Sequence, residues 1–140
     1  MPDKERLYLP PLAELIDSLT IDQIKEVKLP QDRELFAREM DKITHDIDLI
    51  IEERGLKLSS RLIRIIIAIA QMNLHIWHNK DEMQKDPARY TELLKLAHQL
   101  NGVRNQMKNL LLEEVGDREK SARKTNYNTD GLKGWDISIR

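Results

Sequence analysis

The sequence predicts an all-α fold: an antiparallel bundle of three long helices plus a shorter N-terminal helix, with an irregular C-terminal tail. Three observations carry this. Apolar residues recur at spacings of three and four through most of the chain, the signature of helices with one buried face. Five glycines, five prolines and a single phenylalanine in 140 residues disfavour a β-rich design. The periodicity then stops near Asp117. The chain is long enough for one domain, so a helical bundle is expected over 1–116 and a tail over 117–140.

The first helix carries Leu12, Leu15, Ile16, Leu19, Ile24 and Val27, between Pro10-Pro11 and Pro30. Prolines at a helix start and just past its end match start and stop chemistry. Thr20 followed by Ile21-Asp22-Gln23 reads as an N-cap with a capping-box partner, so a bend or break is expected at Ser18-Leu19-Thr20. The second helix steps through Phe36, Met40, Ile43, Ile47, Ile50 and Ile51, with Asp32 as its cap and Gly55 as its stop. The third runs from Ser59 or Ser60 to about Glu82. Between Leu62 and Trp77 it is apolar almost all round, which predicts burial among several neighbours. The fourth opens at Asp86-Pro87, carries Leu93, Leu96, Leu100, Val103, Met107, Leu110 and Leu111, and stops at Gly116. Short connections make such helices antiparallel neighbours. Trp135, Ile137 and Ile139 alternate like a strand, and docking of the tail on the bundle or on a second subunit is expected.

Composition excludes several function classes. Twenty-three Lys and Arg oppose 24 Asp and Glu, a net charge of −1, which disfavours extended nucleic-acid binding. The absence of cysteine removes disulfides, thiolate metal sites and thiol nucleophiles. The longest apolar run, Ile65 to Ala70, is far below the ~18–20 residues that span a bilayer. No membrane partner is therefore expected. With no basic-then-apolar leader, the expected location is the cytoplasm.

Two helical faces break the ordinary pattern. On the fourth helix, His98, Asn101, Asn105, Lys108 and Asn109 share one arc, with Arg104 at its edge. Asparagine and the nearby Gly102 are poor helix formers, each costing several tenths to about 1 kcal/mol against alanine. On the third helix Arg61, Arg64, Ala68, Gln71, His75, Asn79 and Glu82 share another arc, with His78 beside it. A hairpin about residues 83–87 sets Gln71 and His75 level with residues 95–102, and Arg64 level with 104–109. The two arcs then face one another as a groove. Its cations suit phosphate, which arginine holds bidentately, and its amides and imidazoles suit a polar remainder. The alternative for the same residues is a hydrogen-bonded network that ties helices together.

Catalysis and metal binding find less. Asp41, His45, Asp48 and Glu52 on the second helix read as a solvated ion-pair stripe rather than as ligands. No Glu-x-x-His occurs, so the di-iron bundle motif is absent. Glu14-x-x-Asp17 and Glu114-x-x-Asp117 lack the preceding acidic triplet of the all-α nucleotide pyrophosphohydrolases. No glycine-rich phosphate loop occurs. No metal or other cofactor is expected.

The stretch Glu14-Leu15-Ile16-Asp17-Ser18-Leu19-Thr20-Ile21-x-x-Ile24-Lys25, with Asn101-Gly102-Val103-Arg104-Asn105 downstream, resembles small helical proteins encoded by bacteriophages and some bacteria. The resemblance implies an all-α fold and a phage origin, hence a host-cytoplasmic location, and supplies no activity. By analogy, phages encode small proteins that sequester nucleotide-derived immune signals. The expectation is a non-enzymatic, anti-defence binding protein for a phosphorylated small molecule, a nucleotide derivative in particular. The ligand-binding residues would be Arg61, Arg64, Gln71, His75, His98, Asn101, Arg104, Asn105 and Lys108. The alternatives are a helical interaction module without a small ligand and a nucleotide-processing hydrolase. The apolar excess of the third helix also predicts a homo-oligomer.

Overall fold

A computed structural model describes residues 9–116, 129, 132–135 and 137–139. Among the described residues the protein is all-α, with four helices: α1 (Leu12–Lys28), α2 (Arg33–Arg54), α3 (Ser60–Lys85) and α4 (Tyr90–Glu114). Short 3-10 turns at Pro30–Asp32 and Pro87–Arg89 precede α2 and α4. The helices form two antiparallel hairpins, α1–α2 and α3–α4. α1 is the shared element: it packs on α2 on one side and on both α3 and α4 on the other. The backbone of α2 approaches no helix but α1.

The core divides in two. Leu12, Ile16, Ile43, Ile47, Ile65, Ile69 and Leu111 form the larger part, where all four helices meet. Met72, Ile76, Leu100 and Val103 form the smaller part, within the α3–α4 hairpin. Among the tail residues, Leu132, Trp135 and Ile137 pack against the smaller part, and Ile137 and Ile139 against the larger. These tail residues lie on the bundle without forming a strand.

Local chemistry explains most boundaries. Ser59 caps α3 by accepting a hydrogen bond from the Leu62 N–H at 3.1 Å. Gly55 ends α2 in the left-handed region, φ 61°, where a side chain is strained. Gly116 does the same after α4, φ 73°.

Several expectations are corrected. α1 is unbroken at Thr20, whose hydroxyl donates to the Asp17 carbonyl at 2.7 Å within the helix instead of capping a new one. Asp32 and Asp86 stand at helix-start positions but make no side-chain cap, because a 3-10 turn opens each segment. α3 extends to Lys85 and the Pro87–Arg89 turn adds length, so Asn73 is level with Arg104 and Arg61 with Glu114. α3 is also not surrounded: Ile63, Ile67 and Leu74 are 41%, 50% and 40% exposed.

At the α1–α2 contact Asp22 is buried, and its Oδ2 has no hydrogen-bond partner. Burial, and then the nearby Glu39 carboxylate, raise its pKa above the ordinary 3.8. The folded chain thus holds this proton more tightly than the unfolded one. The stability it contributes is full below the unfolded value and is lost as pH rises through the folded value. Asp22→Asn should therefore stabilise the protein at pH 7 by on the order of 1 kcal/mol, with the gain shrinking toward pH 4. Urea melts at the two pH values check this.

Candidate functional site

Two features stand out: a buried polar seam between α1, α3 and α4, and an apolar groove between α2 and α3.

The seam starts from α1. Glu14 and Asp17, three residues apart, lie on one face of the helix. Both meet Lys108 of α4, whose Nζ donates to Glu14 Oε2 at 3.0 Å and Asp17 Oδ2 at 3.3 Å. The Lys108 side chain is 5% exposed and that of Asp17 is 7% exposed. Asn73 of α3 completes the seam. Its Nδ2 donates to Asp17 Oδ1 and to Thr20 Oγ1, both at 2.8 Å, and its Oδ1 accepts from Arg104 Nη1 at 3.1 Å. One amide therefore links three helices. A lone buried ammonium or carboxylate costs several kcal/mol, and Lys108 and Asp17 are held because each lies beside the other. Arg104 instead meets the neutral Asn73 amide, and its buried Nε has no hydrogen-bond partner among the described residues.

The expected groove residues separate into three places. Arg104 and Lys108 belong to the seam and turn toward α1 and Asn73. Asn105 is buried on the same helix and Asn101 is half-buried, while His98 is exposed. Arg61 pairs with Glu114 at the far end of the α3–α4 hairpin, beside Ser59. Arg64, Gln71 and His75 lie on another face of α3, and Arg64 and His75 meet the tail. Arg64 Nη1 donates to the Ser138 carbonyl at 2.6 Å, and the His75 ring sits 5.1 Å from that of Trp135. The two polar arcs thus do not close on one groove. Sequence reasoning missed Glu14, Asp17 and Asn73 as the partners of the α4 cations. The available signal was the acidic i, i+3 pair beside the apolar stripe of α1.

The tail covers a smaller cleft of about 360 Å³, lined by Val103, Gln106, Trp135 and Ser138 among others. Burial, and then the neighbouring His78, hold His75 below the ordinary imidazole value. Its neutral form is therefore the one that fits against Trp135.

The larger groove, about 710 Å³, has Leu19 and Ile24 of α1, Ala37 and Met40 of α2, and Ala70 and Leu74 of α3 in its walls. A second apolar cavity of about 310 Å³ shares Leu19 and Thr20 with it and continues to Ile47, Ile51, Leu62 and Ile66. Glu26 and Asp41 are the charged residues of the larger groove. Asp48 and Glu52 continue the Asp41 edge of α2 at helical spacing and are exposed. His45 pairs instead with Asp46, at 3.1 Å.

Among the described residues, no group of three or more His, Cys, Asp or Glu gathers where it could hold a metal, and no helix is long and apolar enough to cross a membrane. Comparison with family models, with curated proteins and with solved structures finds no match.

Two outcomes follow from this geometry. Lys108→Ala strands the Asp17 carboxylate in the interior and should cost about 3–5 kcal/mol of stability, read from the shift of a urea melt. A variant as stable as the native chain contradicts the seam. For the tail, the depressed His75 value means its stabilising contribution is present above 6.5, the ordinary value, and is lost as pH falls through the folded value. With Trp77→Phe, Trp135 remains as the single tryptophan. Its emission should move to the red between pH 7.5 and pH 5, and His75→Phe should remove that change.

Proposed function

We propose that this protein is a helical interaction module that receives an amphipathic helix in the groove between α2 and α3. The observation that carries the reading is the groove itself: an open, mainly apolar channel floored by α1, with Asp41 on its α2 edge, Glu26 on α1 and Lys57 at the continuing cavity. Burying the apolar face of a helix in such a channel is a recurrent mode of peptide recognition, read through anchors at i, i+3, i+4 and i+7. The alanines at positions 37 and 70 leave room for an incoming side chain between α2 and α3. Arg104 and Lys108, two of the cations a phosphate site would use, already face protein partners. That favours an interaction surface over the phosphate groove.

A second reading keeps a phosphorylated small ligand, such as a nucleotide derivative, and with it the analogy to phage anti-defence proteins. One observation favours it. The cleft under the tail sets Trp135 as a stacking surface within reach of the Arg64 region, through Ser138. Thermal-shift screening against nucleotides separates the two, since a ligand at 100 times its Kd adds about 2.7 kcal/mol of stability.

Selection of randomised amphipathic helical peptides against the full chain tests the first reading directly. Selected peptides should lose at least about tenfold in affinity, about 1.4 kcal/mol, for Ala70→Glu, which fills the groove without emptying the core. Peptides that bind the variant equally well contradict it, as does a selection that yields none against a monomeric chain.

A further inference from the structure

The groove lies beside a ridge. On α3, Ile63, Ile67, Ala70 and Leu74 step by four, three and four, the spacing of a coiled-coil seam. The three large residues among them are two-fifths to half exposed. Ala70 and Leu74 are also walls of the groove, so ridge and groove adjoin along one helix. At about 100° per residue, Arg64 and Gln71 fall on the side of the ridge away from the groove. Across this face the order is therefore a cationic edge at Arg64, the apolar ridge, the apolar groove, and the acidic edge of α2.

We propose that the occupant of the groove is a second copy of this chain, in a two-fold dimer whose axis runs parallel to α3 between ridge and groove. This rests on the docking reading above and names its partner. Such an axis lays the ridge of each copy over the groove of the other. It also brings the outer edges together with opposite charge, as a self-complementary interface requires. Ile47 and Ile51 of α2 line the same cavity as Leu62 and Ile66 of α3, so Asp48 is level with Arg64. A parallel axis preserves that level and sets Arg64 against Asp48 of the partner subunit, twice per dimer. An axis across α3 would stack ridge on ridge and leave both grooves empty. α3 has 26 residues, and at 1.5 Å per residue and two helix widths this face offers about 800 Å² on each copy. That equals the share each partner contributes to a standard stable interface.

Sedimentation equilibrium of the full chain over roughly 1–100 µM tests the proposal. The native chain should have twice its 16.5 kDa mass. Ile67→Glu, at an exposed position, should be folded by circular dichroism and monomeric. Arg64→Glu and Asp48→Lys should each weaken dimerisation by about tenfold or more, and the double variant, which restores both cross-pairs in reversed sense, should recover it. A monomeric native chain, a dimer indifferent to Ile67→Glu, or a double variant no better than the singles would overturn the proposal. Ala70-dependent peptide binding by a monomeric native chain would leave the docking reading standing and assign the groove to a foreign helix. A monomer that binds no such peptide ends both.

Discussion

The ammonium of Lys108 is the constraint on which the arrangement of helices depends. It sits on α4 among Gly102, Val103, Met107 and Leu111, all buried, where an ionised group survives only beside an opposite charge. Neither α3 nor α4 supplies a carboxylate at that level; Asn73 of α3 offers an amide. The carboxylates come from α1, and satisfying Lys108 sets both the position and the rotation of α1 on the α3–α4 hairpin. Once Glu14 and Asp17 face Lys108, Leu12, Ala13 and Ile16 are turned into the core. Thr20 meets Asn73 at the next turn.

The open groove follows from that placement. α1 occupies the position between α2 and the other two helices, so α2 is held on the outside through Met40, Ile43 and Ile47 alone among its buried residues. A helix fixed by one narrow stripe keeps its backbone apart from that of α3. The apolar side chains that α3 would have presented to it, Ile63, Ile67 and Leu74, remain at the surface. The same polar seam that locks three helices thereby leaves a channel between α2 and α3.

How much of this was legible in the sequence can be read from particular residues. The stripe from Phe36 to Ile50 and Gly55 as a stop are local facts, set by spacing and by backbone preference, and the structure has them as expected, while Ile51 at the end of the stripe is exposed. The arc of Asn101, Arg104, Asn105 and Lys108 was recognisable as unusual because asparagine is a poor helix former. The direction it faces was not legible. That depends on partners some ninety residues away in sequence, at Glu14 and Asp17. Thr20 misled for a related reason. Its hydroxyl has a capping-box setting, but it is already engaged by the Asp17 carbonyl and by Asn73 across the bundle. The apolar excess of α3 was visible from composition. Reading it as exposed ridge rather than as burial required knowing how many neighbours α3 has.

A double-mutant cycle between Asp17→Asn and Lys108→Met, read by urea denaturation, tests the central claim most directly, because it isolates the energy with which α1 is tied to α4. If that charge pair sets the position of α1, the two substitutions together should cost far less than the sum of the singles, with a coupling of about 2 kcal/mol or more. Additive costs would show that α1 is held by its apolar contacts alone and would contradict the account.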